Sequence, residues 1–215
     1  MRFRNPLLPL VAATLLAGCT FPSPPRSSYT PLVSPIAPAA GSLTAIKHKT
    51  VGVLYSADAA SDLDYLRRYH QHAVSSIEGR LLIREIRQGY ANSSLPDRTL
   101  AAMEDSLSRH LQHVTFYKDQ AALDRDNPDV IVILDTHHVL LTPRTSDVRV
   151  DYMADFFDRD YRFLGRAEGH QANSMPALWT HNQRTEQIVS ELDRQQALQI
   201  EAMNEFDNSI SWLFQ

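Results

Sequence analysis

Two short runs of branched apolar residues, VGVLY at 51–55 and DVIVIL at 129–134, require this chain to build a buried sheet. Valine and isoleucine favour the pleated backbone of a strand, and short apolar runs are typical of strands that are covered on both sides. The first run predicts a strand from Thr50 to Tyr55, and the second predicts a long strand that starts near Asp129. VTFY at 114–117 predicts a further, brief strand.

Alternating apolar residues after position 147 predict an antiparallel hairpin. One run is VRVDYMADFF, and the alternation resumes at Tyr161 after the turn residues DRD. We expect Phe156 and Tyr161 on one side of the hairpin and Phe157 and Arg162 on the other. Core packing is the main expectation for these aromatic residues. Phe157 is also a candidate contact for a partner, on an exposed edge that pairs with a partner strand.

Helical patterns occupy the remaining segments. SDLD at 61–64 resembles a capping box that opens a helix, and Ser94 with Pro96 predicts the start of another. The last segment, from about 182 to 213, contains neither glycine nor proline, and it carries an apolar stripe made of Met203, Phe206, Ile210 and Leu213. The order of these elements predicts a single α/β (α+β) domain. Its mixed sheet of about four or five strands ends in a C-terminal hairpin and is packed by helices that include a long C-terminal one.

The first residues have the layout of an export signal. Arg2 and Arg4 are followed by an apolar stretch at 6–16 that is too short to span a bilayer. Leu16-Ala17-Gly18-Cys19 resembles the lipobox of bacterial lipoproteins, and Cys19 is the only cysteine of the chain. A plain signal peptide with a chance cysteine is the alternative.

The lipobox resemblance implies that Cys19 carries a thioether-linked diacylglycerol and that cleavage precedes it. Several acyl chains on one residue anchor a protein to a membrane far more firmly than a single chain does. Thr20 follows the cysteine, where an aspartate would favour retention in the inner membrane. The expected location is therefore the outer membrane, with the protein lipid-anchored and facing the periplasm.

Composition divides the chain into three parts. We predict a signal peptide at 1–18, the lipidated cysteine with a tether rich in proline and serine at 19–46, and a periplasmic domain at 47–215. Removal of residues 1–18 takes away two arginines and no acidic residue. The mature protein then has 19 basic and 25 acidic residues, a net charge of about −6. It lacks the basic character of a nucleic-acid-binding protein, so no nucleic acid is expected as a partner.

The order of elements resembles a small α/β domain of exported bacterial proteins. VGVLY matches its first strand, DSLSRHLQHVTFY its helix-to-strand passage, DVIVIL its aspartate followed by an apolar run, and RFLGRAEG its outer strand with a glycine. The families are the periplasmic part of the curli-secretion lipoprotein, the lipoprotein activators of penicillin-binding proteins, and the N-terminal domain of the Tol-system propeller protein. Because these families act by binding and assembly, the resemblance implies a non-catalytic accessory subunit of an envelope machine for secretion, transport or cell-wall synthesis.

Motifs of common enzyme classes do not occur. The chain has no Gly-x-Ser-x-Gly elbow, no phosphate-binding loop, no dinucleotide fingerprint and no His-Glu-x-x-His. A lipidated Cys19 is also unable to serve as a nucleophile. We therefore predict that the protein is not an enzyme and needs no cofactor. A triad assembled from distant serine, histidine and acidic residues stays an alternative.

Histidine pairs suggest a competing function. His110 and His113 are three residues apart and are expected on one helical face, while Asp135 and His137 alternate on a strand and point the same way. These four residues are weak candidates for metal ligands, because a zinc site usually needs a third protein ligand. The alternative function is therefore a periplasmic metal-binding protein or hydrolase that uses the histidine-rich positions.

One loop aromatic residue completes the candidate contacts. Trp179 lies in NSMPALWTHNQ, between the hairpin and the last helix. Tryptophan is over-represented at interfaces, but it also closes the ends of hydrophobic cores. The expected partners are the membrane, through the N-terminal lipid, and a protein or other component of the cell envelope. A homo-oligomer is an open alternative.

Overall fold

The computed structural model describes residues 43–75, 82–142, 145–176 and 183–215. A five-stranded mixed sheet in the order β2-β1-β3-β4-β5 forms its centre. The strands are β1 Thr50–Tyr55, β2 His113–Phe116, β3 Val130–Val139, β4 Asp147–Asp158 and β5 Phe163–Ser174. A short 3-10 turn at Thr44–Ile46 precedes them, and the α-helices are α1 Ala57–Ser75, α2 Arg84–Asn92, α3 Pro96–His110, α4 Gln120–Asp126 and α5 Thr185–Leu213.

Strand direction divides the sheet into two halves. β1 runs parallel to both β2 and β3, whereas β3, β4 and β5 run antiparallel in sequence. The predicted fold class is confirmed: a single α/β domain has a mixed sheet, a C-terminal hairpin and a long C-terminal helix. Within the described part of the chain, no helix has both the length and the apolar character that crossing a bilayer requires.

Most helices pack on one face of the sheet. Val53 of β1 and Val132 of β3 lie in the same buried cluster as Leu107 of α3 and Phe206 of α5. A second cluster joins α1 and α2 to the far end of β3 and to the first half of α5. The short helix α4 lies on the opposite face, where Leu123 covers Gly52, and a Cβ built on that glycine would stand 3.0 Å from Leu123 Cδ1.

The last helix crosses β5 at very close range. A Cβ on Gly169 would lie 2.0 Å from the carbonyl oxygen of Ala202, so only glycine permits this approach. The outward-facing amides of β5 are satisfied by the same helix. Glu168 N donates to Ser209 Oγ over 3.1 Å, and His170 N donates to Glu205 Oε2 over 3.1 Å. Helix α5 therefore covers an edge that would otherwise be open to pairing with another strand.

Two predicted helix caps are wrong. Helix α1 begins at Ala57 rather than at SDLD, because Ser56 supplies the cap and its Oγ accepts a bond from Ala59 N over 2.9 Å. Ser61 lies inside the helix and donates to Ala57 O. Ser94 does not cap α3 either. Its hydroxyl donates back to Tyr90 O over 2.7 Å, although Pro96 stands in the first turn as predicted.

Tyr161 also departs from the prediction. It lies in the turn between β4 and β5 with a φ of 59°, instead of continuing the alternation on the side of Phe156. Its hydroxyl donates to Asp124 Oδ1 of α4 over 2.8 Å. The turn needs a left-handed residue, which rotates this side chain out of the strand pattern.

Leu43 is the first described residue, it lies four residues before the predicted start of the domain, and it already packs in the core. Leu43 and Ile46 are buried in the main core, and Leu43 N donates to Leu213 O over 3.0 Å. This contact joins the start of the domain to the end of α5. Cys19 and Trp179 lie outside the described residues, so the predictions made for them stay predictions.

Substitution of Phe206 tests the role of the α5 stripe. Phe206, Ile210 and Leu213 are all fully buried, so Phe206→Ala should lower the free energy of unfolding by about 3–5 kcal/mol. Glu201 is exposed on the same helix, and Glu201→Ala should change the value by less than about 0.5 kcal/mol. Urea unfolding followed by circular dichroism measures both. Equal midpoints for the two variants would contradict the packing.

Candidate functional site

One face of β3, β4 and β5 carries a dense set of charged side chains. It lies on the side of the sheet opposite to α5, and the short helix α4 packs on this same side against β1. The face lines a broad depression of about 890 Å³, which extends to the end of β1 and to the start of α4. We call it the open face. Its polar and charged members come from alternating positions of the three strands: Asp135, His137, Arg149, Asp151, Asp155, Arg166, Glu168 and His170.

The strongest interaction on the open face joins neighbouring strands. Arg166 of β5 stands opposite Asp155 of β4 and binds both of its carboxylate oxygens, with Nε–Oδ1 at 2.5 Å and Nη2–Oδ2 at 2.7 Å. These charge-assisted bonds raise the pKa of Arg166 above its ordinary value, against a smaller opposing effect of burial. Two parallel bonds fix the guanidinium plane, so its position is set before any ligand arrives.

Asp151 is the second buried carboxylate of the open face. Its side chain is 7% exposed; Arg149 Nε donates to it over 2.9 Å, and His170 Nδ1 of the adjacent strand also pairs with it. Asp135 of β3 accepts hydrogen bonds from Ser56 Oγ at 2.6 Å and from Thr136 N at 3.0 Å. Hydrogen bonds from neighbouring side chains or backbone amides therefore fix the position of each of these carboxylates.

Acidic groups outnumber basic ones around the depression. The lining includes the carboxylates of Asp58, Asp119, Asp135, Asp151, Asp155 and Glu168, and the cations of Lys118, Arg149 and Arg166. Six negative charges against three positive ones leave a net charge of −3 with the histidines neutral. The surface thus combines pre-positioned hydrogen-bonding groups with a negative potential, which suits binding of a ligand that carries positive charge.

A second polar cluster lies in the core on the other face of the sheet. Asp62 of α1 is fully buried, and its carboxylate accepts bonds from the backbone N of His138 at 2.7 Å and from Thr136 Oγ1 at 3.3 Å. The His138 ring pairs with the same carboxylate at 2.6 Å through Nδ1, and with Tyr152 Oη at 3.1 Å through Nε2. Burial raises the pKa of Tyr152 well above its ordinary value.

This Asp62–His138–Tyr152 arrangement has the residue types of a catalytic relay, but Asp62 and His138 have no exposed surface. A general base must reach the proton it abstracts. The cluster therefore serves to join α1 to β3 and β4. It did not emerge from the sequence because Asp62 was interpreted there as part of a helix cap.

The predicted helical pair of histidines is wrong. His110 is the last residue of α3, and the chain turns to an extended conformation at Leu111, so His113 lies on strand β2 instead. His110 stacks on Phe214 at a ring distance of 6.1 Å, and its Nε2 lies 3.3 Å from Ser211 Oγ. Burial lowers the pKa of His110, which favours the neutral ring.

The other predicted pair is placed as expected. Asp135 and His137 share the open face, and His138 points to the opposite side. Among the described residues, however, no group of three or more histidine, cysteine, aspartate or glutamate side chains has a geometry that could hold a metal ion. The four candidate ligands are therefore not brought together in one such group within the described residues.

Phe157 lies on the open face but not at an edge of the sheet. Its strand β4 is flanked by β3 and β5, so the predicted pairing of this strand with a partner strand is wrong. The Phe157 ring packs against Phe163 at 5.8 Å in an edge-on arrangement, and both rings are half-buried. Phe157 thus stays a candidate contact through its ring rather than through its backbone.

The charged residues that β4 and β5 contribute to the open face were not recognised from the sequence, although a signal was present. In VRVDYMADFF the charged or polarisable residues Arg149, Asp151, Met153 and Asp155 alternate with the core residues Val148, Val150, Tyr152, Ala154 and Phe156. A period of two places them all on one side of a strand. The same pattern continues on β5 through Arg166, Glu168 and His170.

Comparisons with known proteins do not identify a family. No family model matches the chain, and no curated protein matches it. Among solved structures, the PelC L103M dodecamer from Paraburkholderia phytofirmans has a TM-score of 0.39 at 10% identity and covers 84% of this chain and 94% of its own. A second crystal form of the PelC dodecamer gives a TM-score of 0.30 at 7% identity, with 77% and 92% coverage.

A predicted lipoprotein from Caulobacter crescentus CB15 is a further distant neighbour. Its TM-score is 0.25 at 13% identity, with 59% of this chain and 83% of that chain covered. Because all of these TM-scores and identities are low, the likenesses do not decide what this protein does.

Substitution of Asp62 tests the buried cluster. Asp62→Ala removes the acceptor of three donors and should lower the free energy of unfolding by about 3–5 kcal/mol. Asp64, two residues further along α1, pairs with Arg67 on an exposed surface, and Asp64→Ala should cost less than about 1 kcal/mol. Urea unfolding of both variants is the measurement. A stable Asp62→Ala protein would contradict a structural role.

Proposed function

We propose that this protein is a lipid-anchored accessory subunit of an envelope machine, held at the outer membrane through Cys19, and that it works by binding rather than by catalysis. The open face is its recognition surface. The observation that carries this proposal is the uncovered side of β3, β4 and β5, where charged groups are ordered across three strands.

The arrangement of these groups favours recognition. Arg149, Arg166 and their carboxylate partners are already paired, so they present a rigid pattern of charge that a partner can match without reorganising the site. The acid–histidine pair Asp151–His170 lies on the open face, whereas the pair Asp62–His138 is enclosed by the core. A hydrolase that uses the enclosed pair would have no route for its substrate.

The distance from anchor to domain suits a membrane-tethered binder. Leu43 is the first described residue that packs into the core, so residues 20–42 separate it from Cys19. In polyproline geometry a segment of this length reaches roughly 70 Å at about 3.1 Å per residue. The proposed tether thus gives the domain room to meet a partner away from the lipid surface.

Substitution of the anchor residue tests the first half of the proposal. Cys19→Ser removes the only thiol that can be acylated. We expect loss of incorporation of labelled palmitate and a shift of the protein from the outer-membrane fraction to a soluble or uncleaved form. Ser23→Ala, in the adjacent segment, is the control and should leave both properties unchanged. Normal processing and fractionation of the Cys19→Ser protein would overturn the proposal that Cys19 carries the lipid anchor.

Site-specific crosslinking tests the second half. Ala172 is exposed and stands opposite Arg149 on the open face, so a photo-crosslinking residue there would meet a bound partner. In intact cells we expect a discrete adduct, identified by mass spectrometry as an envelope component. The same probe at exposed Glu201 of α5 should give no such adduct. Identical adducts at both positions, or none at Ala172, would contradict recognition by the open face.

A further inference from the structure

Strand register places two carboxylates on either side of one methionine at the centre of the open face. Asp135 of β3 pairs with Met153 of β4, and Met153 pairs with Glu168 of β5. Because adjacent strands are about 4.8 Å apart, the two carboxylate-bearing strands stand about 10 Å apart. The half-buried side chain of Met153 forms the floor between them.

The two arginines of these strands each bind a carboxylate outside this central row. Arg166 binds Asp155 in the row on one side, and Arg149 binds Asp151 towards the other end of the face. Glu168 is exposed. The pKa of Arg166 is raised first by its bonds to Asp155, and the charges of Glu168 and Asp135 add to the same effect. The central row therefore keeps a local excess of negative charge.

We propose that the open face docks a basic segment of a protein partner, with arginine or lysine side chains placed between Asp135 and Glu168. The inference rests on the proposed function, because it assigns a chemistry to the occupant of that same surface. The half-buried thioether side chain of Met153 offers an apolar contact for the aliphatic stem of a long cationic side chain. The carboxylates on both sides would then bind its charged end.

Charge also separates this occupant from the alternatives. A phosphorylated or otherwise anionic ligand would approach a surface whose lining carries a net charge of −3. A second copy of this chain would bring a mature net charge of about −6 to the same surface. The negative electrostatic field of the open face repels both of these ligands, whereas it attracts a basic segment.

Binding of a labelled polyarginine peptide to the full-length protein, followed by fluorescence anisotropy at low ionic strength, tests the inference. A citrulline peptide of the same length is the control ligand, since citrulline keeps the shape of arginine and lacks its charge. We expect saturable binding of polyarginine that weakens as salt is added, and no binding of the citrulline peptide. Failure of the polyarginine peptide to bind would overturn the proposal.

A matched pair of variants locates the binding. Glu168→Lys and Glu201→Lys change the net charge equally at exposed positions, but only Glu168 belongs to the open face. Glu168→Lys should weaken binding of the polyarginine peptide by about fivefold or more, whereas Glu201→Lys should change the affinity by less than about twofold. Glu168→Gln, which adds no new charge beside Arg166, should weaken it by roughly two- to fivefold. Equal effects at Glu168 and Glu201 would show unspecific attraction and overturn the proposal.

Two outcomes separate this inference from the proposed function. If the Ala172 probe captures an envelope component while polyarginine does not bind, the open face is a recognition surface of a different chemistry and only the present inference fails. If polyarginine binding depends on Glu168 while the Ala172 probe captures no envelope component, the cationic preference stands and the accessory role fails. An adduct between the Ala172 probe and a second copy of this chain would overturn the inference that the partner is a basic segment of another protein.

Discussion

The close approach of α5 to β5 at Gly169 is the constraint on which the rest of the arrangement depends. With the carbonyl of Ala202 only 2.0 Å from a notional Cβ, the helix can cross the strand at this point only over a glycine. That crossing brings Phe206 into the main core and lets Glu205 and Ser209 satisfy the outer amides of β5. The same helix thus contributes to the main core and closes the edge of the sheet at β5.

Concentrating the helices on one side has a consequence for the other side. The open face of β3, β4 and β5 needs polar groups because it meets solvent, yet Asp151 and Asp155 are more buried than solubility alone requires. Ion pairs with little exposure add little net stability, since desolvation offsets the attraction between the charges. The ordered pairing of these carboxylates with Arg149 and Arg166 is therefore not required for the net stability of the fold.

The two polar clusters differ in what they can do, although both contain aspartate, histidine and aromatic residues. Around Asp62 every donor is enclosed, so its interactions stabilise the contact between α1 and β3. Around Asp155 the partner groups border a depression that solvent and ligands can enter. Exposure rather than residue type separates a structural cluster from a binding surface.

Local pattern was enough to predict the strands, the hairpin and the long last helix, because period, β-branching and order are properties of neighbouring residues. It was not enough to place His113 on a strand or to give Asp62 its partner His138, 76 residues away. Local pattern also did not show which charged residues of β4 and β5 pair with each other, because a pair such as Asp155–Arg166 depends on strand register. Only the tertiary structure decides which face is covered, because coverage follows from where α5 can approach the sheet.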